Sequence, residues 1–323
     1  MSHDYSLSEE MAQLLHWSST FVGADDHMDS VRAAYDALSR NYTPLRDGSV
    51  RIEDAQFQAN GVTVPLRLYR PLGVAPMAGW PVVLYLHGGG FVVGNLESHE
   101  FLTAPMAKDL DAVVIVVDYR LAPEHVYPAA LEDCLAAWQY VVAQADEWQL
   151  DANRMVLAGD SAGGQLVAVL SAKLKNAVVR PQGQALIYPN LTMIEGFDSH
   201  HQHAHAPLLS YGDMQHYWDQ YAPEAALRAE PALSPLSAPS FAGLPATFVA
   251  IAEYDPLSDE GRAYVARLQA AGVAAQLYQG VGLIHGALRV WRDCPETHGL
   301  YQAYINALKA MLAKSDSNQK QTR

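Results

Sequence analysis

The chain is poor in cysteine and in positive charge. Of 323 residues only two are cysteines, Cys134 and Cys294, far apart and in unrelated contexts. That excludes a disulfide framework and leaves two reduced thiols, as expected of a cytoplasmic protein. Lys and Arg number 21 against 35 Asp and Glu, a formal charge of −14. With no basic run anywhere, nothing speaks for a nucleic-acid or anionic-membrane surface. No window approaches the roughly 18 uninterrupted apolar residues of a membrane span. The opening "MSHDYSLSEEMAQLLHW" lacks the basic segment and apolar core of a secretory leader. Neither H-E-x-x-H nor C-x-x-C occurs, and no internal repeat is visible. What is present, 50% hydrophobic and 17% charged, is the composition of a globular chain with a substantial core, suited to a neutral or apolar small-molecule substrate.

Apolar strand-like runs alternate with helical patterns over most of the length. After two N-terminal helices, the first with Ser6 and Glu9 at capping-box spacing, "RIEDAQFQ" and "VTVPLRLYR" flank Asn60-Gly61, a hairpin signal. "PVVLYLH", "DAVVIVVDY", "RMVLAGD", "QALIYP", "ATFVAIA" and "AAQLYQG" read as buried strands with helices among them. The expectation is an α/β chain: a mostly parallel sheet covered by helices on both faces, with an antiparallel edge from the hairpin. Residues 195–225 interrupt the alternation and are too irregular for a simple crossover. They are read, with residues 1–45, as a helical cap over a core made of 46–194 and 226–323. The polar tail "SDSNQKQTR" is expected to fray.

"VVLYLHGGGFVVG" places three consecutive glycines, Gly88 to Gly90, where a strand stops. Glycine is costly to order, so bare backbone at that point calls for a reason. "LAGDSAGG" supplies one. It sets Ser161 in a G-x-S-x-G pattern between a strand and a helix, the context in which a strained turn lifts a serine hydroxyl above a sheet edge. Such a hydroxyl needs a base, itself oriented by a carboxylate, and in this architecture the chain order is Ser, acid, His. "ATFVAIAEYDPLSDEG" offers Asp255 in the loop after a strand, with Glu253 and Asp259 as competitors. His285, in the loop "GVGLIHGAL", is the better base; His298 begins a terminal helix. The glycine loop then has a task, since an acyl carbonyl under attack needs amide donors for its oxyanion. The expected donors are Gly88, Gly89 and Ala162.

These residues resemble the bacterial hormone-sensitive-lipase-like esterases of the α/β-hydrolase fold. The resemblance rests on "HGGGF", "DYRLAPEH" with "YPAALED", "GDSAGG", "DPLSDEG" and His285-Gly286, spanning about residues 60 to 290. It implies an α/β-hydrolase core with a helical cap, and carboxylester hydrolysis through an acyl-enzyme. Ser161 would be the nucleophile, His285 the base and then acid, and Asp255 its orienter. It also suggests homodimers through an edge strand. Where the family often reads "HGF", this chain has Ala287 after His285-Gly286. The expected substrates are short- to medium-chain acyl esters, with no metal or organic cofactor required. Amide or formamide hydrolysis would use the same residues. A receptor that no longer turns over is disfavoured by the presence of both Ser161 and His285.

Other residues invite functional readings that the sequence does not favour. His200, His201, His203 and His205 in "SHHQHAH" are expected in a solvated cap loop rather than on a metal. Asp118, Arg120 and Glu124 are expected to form a buried ion-pair network, and Asp160 to turn away from its neighbour Ser161 as a structural residue. Phe91, Tyr211 and Trp218 are assigned to the substrate pocket. Trp17, Phe21 and Tyr217 are further wall candidates, and cap-to-core packing is the competing role for every one of these aromatics.

Overall fold

The computed structural model describes residues 5–21, 23 and 27–313. The C-terminal segment read as frayed lies outside them. Two helices come first, α1 (Glu9–Thr20) and α2 (Met28–Tyr42). Ser8, not Ser6, caps α1, because its hydroxyl is the one that accepts from the Met11 amide.

Eight strands then build one sheet. They are β1 (Val50–Ala59), β2 (Val62–Pro71), β3 (Trp80–Leu86), β4 (Val113–Val117), β5 (Leu150–Asp160), β6 (Gly183–Ile187), β7 (Ala246–Tyr254) and β8 (Ala275–Ile284), in spatial order β1-β2-β4-β3-β5-β6-β7-β8. The pairs from β4 through β8 are parallel, and β2 is antiparallel to both β1 and β4. The β1–β2 turn has positive φ at both Asn60 and Gly61, the conformation a two-residue type I′ hairpin requires.

The pleat divides the core in two. In β3, Val82, Leu84 and Leu86 face one cluster while Val83 and Tyr85 face the other, and all seven residues of the strand are buried. Helices α4 (Ala129–Ala143) and α5 (Ala162–Leu174) cover the first face with α8 (Ser258–Ala270); Trp138, Leu166 and Leu268 pack there. Helix α3 (Glu100–Leu110) and the C-terminal α9 (Pro295–Leu312) cover the second through Phe101, Met106, Leu300 and Tyr304, joined by Met11 and Leu14 of α1. Between β6 and β7 the chain leaves the sheet for 58 residues that carry α6 (Asp198–Gln202) and α7 (Tyr211–Tyr221).

The parallel strands all deliver their C-terminal ends to one edge. The glycine loop follows β3, Ser161 follows β5, Asp255 follows β7 and His285 follows β8. In an open parallel sheet that edge is where ligands bind.

Candidate active site

Ser161 sits between β5 and α5 with φ +52° and ψ −120°. A left-handed φ costs a non-glycine residue on the order of 1–3 kcal/mol and persists only where the surroundings impose it. Here they do. The Ser161 amide donates to Ile187 O at 2.9 Å, and α5 approaches β3 so closely that a Cβ on Gly163 would overlap the Leu86 carbonyl.

The three residues predicted to work together meet. His285 Nε2 lies 2.9 Å from Ser161 Oγ, and His285 Nδ1 lies 2.7 Å from Asp255 Oδ2. An ionised Asp255 can only accept, so Nδ1–H donates to it and Nε2 is left to accept from the serine hydroxyl. Asp255 is fully buried, and its second oxygen accepts the Leu257 amide at 2.9 Å. The Tyr188 ring flanks the imidazole at 4.6 Å. The competing acids are engaged elsewhere: Glu253 accepts from the Gly282 amide, and Asp259 from Ser199 N and Arg262. His298 is exposed on α9, stacked on Trp291.

The glycine loop corrects one expected donor. The Gly88 amide donates to Asp160 Oδ1 at 2.9 Å, so it is spent on a buried carboxylate. Asp160, expected to turn away from its neighbour, borders the larger cavity, and its carboxylate also gathers Tyr85 Oη (2.7 Å) and His99 Nε2 (3.3 Å). Burial alone would raise its pKa, but His99 and these hydrogen bonds hold it well below the usual carboxylate range. Next to it, burial pushes His87 down to about 4, so that imidazole is neutral; it stacks on Tyr119 at 4.3 Å. Above this base Gly89, at φ +127°, folds its carbonyl back to the Val92 and Val93 amides. Among the described residues no protein acceptor takes the amides of Gly89, Gly90 or Ala162.

Two cavities open on Ser161. The larger, about 180 Å³, is lined by Tyr35, Gly89, Tyr188, Leu208, His285 and Arg289 among others. The smaller, about 20 Å³, lies against Gly90, Ala162, Phe91 and Trp218, and Tyr217 borders both. Phe91 stacks on Tyr221 at 3.9 Å, and Trp218 donates to Asn190 Oδ1 at 3.2 Å. The structure does not bring Tyr211 to either cavity; its ring packs instead on His200 at 5.2 Å. Trp17 and Phe21 stack on each other, outside both cavities. Tyr35, Tyr188, Leu208 and Arg289 went unnoticed in the sequence. Arg289 stands three residues past His285-Gly286 and Tyr188 just past the end of strand β6, which are the signals that could have flagged them.

Two further expectations change. His200 is not solvated: it is fully buried, with Nε2 2.9 Å from Glu260 Oε1, and His203 is buried beside Tyr254. His201 and His205 are exposed, and no metal-holding group of His, Cys, Asp and Glu occurs among the described residues. Asp118, Arg120 and Glu124 form no single network. Arg120 grips buried Asp133 through two 2.8 Å contacts, Glu124 pairs with Arg32 at 2.7 Å, and burial pushes Asp118 up to about 6.

Known proteins are similar to this chain in sequence and fold. A family model described as alpha/beta hydrolase fold matches residues 83–289. An esterase of Mycobacterium tuberculosis is 37% identical over 267 residues, 82% of this chain and 82% of that protein. An ethyl acetate hydrolase of Pseudomonas putida is 39% identical over 233 residues, 72% of this chain and 73% of that one. Among solved structures, a thermostable esterase of Pseudomonas putida superposes with a TM-score of 0.89 at 29% identity, covering 97% of this chain and all of its own.

Proposed function

The chain belongs to the alpha/beta-hydrolase family, in its hormone-sensitive-lipase-like branch, and is a carboxylic-ester hydrolase; from that premise we propose that Ser161, His285 and Asp255 carry out the reaction on short acyl esters. The observation that carries this reading is the chain of two hydrogen bonds, 2.9 Å and 2.7 Å, from serine to histidine to buried carboxylate.

In the first step Ser161 Oγ attacks the ester carbonyl carbon as its proton passes to His285 Nε2. The carbonyl electrons move onto oxygen, where the amides of Gly89, Gly90 and Ala162 receive them; these three are the donors the loop leaves without a protein acceptor. Collapse of this intermediate breaks the bond to the alcohol oxygen, which leaves with the proton from His285. Water then attacks the acyl-enzyme, giving its proton to His285, and Ser161 departs as the hydroxyl while the acid is released. Asp255 holds the imidazole in the required tautomer and stabilises its cationic form.

The cavity volumes support short chains. About 180 Å³ and about 20 Å³ are small beside the roughly 300–1,000 Å³ of drug-sized ligand sites. The aromatic wall is assigned to Phe91, Tyr217 and Trp218, and residues 1–45 with 195–225 to a cap, supported by Tyr35, Leu38, Leu208 and Tyr217 lining the larger cavity. No helix among the described residues is long and apolar enough to cross a membrane. The cytoplasmic assignment draws on the two free, buried thiols, and the homodimer would join through edge strand β1 or β8.

The test is a series of p-nitrophenyl acyl esters of increasing length, run on the wild type and Ser161→Ala. The wild type should favour the shorter esters, and the variant should lose at least about 10,000-fold in kcat/KM with its melting temperature retained. Appreciable turnover by Ser161→Ala would overturn the nucleophile assignment.

A further inference from the structure

The wall of the larger cavity contains a cation with no carboxylate in contact with it among the described residues. Buried and half-buried arginines elsewhere in the molecule are matched to carboxylates: Arg67 to Asp54, Arg70 to Glu53, Arg120 to Asp133, Arg154 to Asp151 and Arg228 to Asp219, all within 2.8 Å. Arg289 is not. It lies on the short 3-10 helix Ala287–Val290, four residues after His285, and lines the same cavity as Ser161 and Gly89. Among the described residues no carboxylate lies within ion-pair distance of its guanidinium, and its Nε is buried with no hydrogen-bond acceptor. Its neighbours are the Tyr35 ring at 5.0 Å, whose hydroxyl it also hydrogen-bonds, the Phe101 ring at 6.0 Å, and, farther off, Tyr188 and Asp160.

Burying a guanidinium with its Nε unpaired and no carboxylate in contact is expensive, and a tyrosine hydroxyl and ring faces recover only part of the loss. The other titratable groups on this cavity are Tyr35, Tyr188, Tyr217, His285 and Asp160. Asp160 is the only acid, and its oxygens are already held by Tyr85, Gly88 and His99. Tyr35 supplies one neutral acceptor, which leaves an acceptor for the buried Nε and an ion-pair partner for a ligand to provide. A planar guanidinium fork matches a carboxylate, whereas a single cation in a cavity of about 180 Å³ offers too few donors for a phosphate dianion.

We propose that Arg289 recognises a carboxylate on the substrate, so that the preferred esters are anionic ones such as hemiesters of small dicarboxylic acids. The proposal rests on the esterase reading above. It also fits the net charge of −14: a field that repels anions at long range leaves their selection to a short-range contact inside the site. The covalent steps are unchanged; the carboxylate only orients the ester.

The experiment compares each anionic ester with a neutral one of the same shape. Monoethyl succinate is set against ethyl 4-methylpentanoate, placing the charge on the acyl side. Acetoxyacetate is set against isobutyl acetate, placing it on the alcohol side. In one pair at least, Arg289→Met should lower kcat/KM for the anionic member roughly 10- to 100-fold and change the neutral member less than about threefold. Arg289→Lys should recover part of the loss. An equal fall for both members of both pairs would mean that Arg289 only supports Tyr35 or Asp160, and it overturns the proposal; so does no change in any of the four. If Arg289→Met does not fold, the wild type decides: preference for the anionic member of either pair supports the proposal, and preference for the neutral member of both overturns it. Hydrolysis of p-nitrophenyl acetate by the wild type separates these results from a failure of the esterase reading, which would take the proposal down with it.

Discussion

The two sides of the cavity are built on different principles. One side, formed by the glycine loop and the Ser161 turn, rests on the sheet and on buried Asp160, which ties Gly88, Tyr85 and His99 together within 3.3 Å. Its carboxylate oxygens and most of its polar atoms have fixed partners, apart from His87 Nε2 and the few amides that face the pocket. The opposite side, formed by α2, α7 and the loop holding Leu208 and Leu209, meets the cavity through side-chain packing, although Arg32 anchors α2 to Val92 O and Glu124: Leu209, Met214 and Trp218 belong to the main apolar cluster, and Tyr35 and Tyr217 pack against it. A hydrogen-bonded base fixes atoms to fractions of an ångström, as transition-state donors require. A packed wall tolerates changes of volume, as a site that must vary its substrate requires. The difference teaches where chemistry and selectivity reside: substitutions on the first side should act on kcat, those on the second on the spectrum of substrates.

The largest blow to that division comes from Asp255→Asn, which should cost roughly 1,000- to 10,000-fold in kcat by presenting the wrong imidazole tautomer to Ser161. Glu253→Gln, measured beside it, should leave kcat within about threefold, since Glu253 serves only the Gly282 amide. If the two variants exchange these outcomes, the acid is misassigned. Next comes Asp160→Asn, which keeps the shape and removes the charge beneath the glycine loop. It should lower kcat roughly 10- to 100-fold with KM little changed, because misplaced donors are felt in the transition state. A rise in KM at constant kcat would dissolve the distinction between the two sides.

The first side could be read in the sequence and the second could not, for a physical reason. A strained serine turn, a run of glycines and loops placed after strands demand particular residue types at fixed spacing, so Ser161, Asp255, His285 and Gly89 announce themselves. The exact donors do not. Gly88 and Gly90 are chemically identical, and only the fold shows that Asp160 claims the Gly88 amide. On the packed side any large apolar residue serves, so Tyr211 looks as eligible as Tyr217, yet one packs on His200 and the other on the cavity. Arg289 escapes notice because a net charge of −14 says nothing about where one cation sits. His200 misleads in the same way: a run of histidines reads as solvated until Glu260 is found behind it.

Tyr217→Ala tests the packed side. Its ring borders both cavities, and removing it should join them. The ratio of kcat/KM for octanoyl over butyryl ester should then rise, by roughly fourfold for each methylene newly buried. The absolute rate on acetyl ester should fall less than about tenfold. Should acetyl and octanoyl esters lose rate in equal measure, Tyr217 belongs with the donor side and not with the wall.

The smallest effect is expected at the seam. Asp118 follows β4 on the core, and its pKa is pushed to about 6 by burial, against the pull of Arg67 and with the help of Asp36 on α2. A raised carboxyl pKa means that the folded state holds its proton where the unfolded state has released it. Stability from this group is therefore lost as pH rises from about 4 through 6, and the cost persists above. Asp118→Asn removes that cost. The variant should match the wild type near pH 4 and exceed it at pH 8 by up to about 3 kcal/mol, the equivalent of the shift of roughly two pH units. Urea unfolding of both proteins at the two pH values reads the difference directly, and kcat on a short ester should be unchanged. A variant less stable at pH 8 would mean that the attraction of Arg67 on β2 for the charged Asp118 outweighs both its burial and the repulsion from Asp36 on α2.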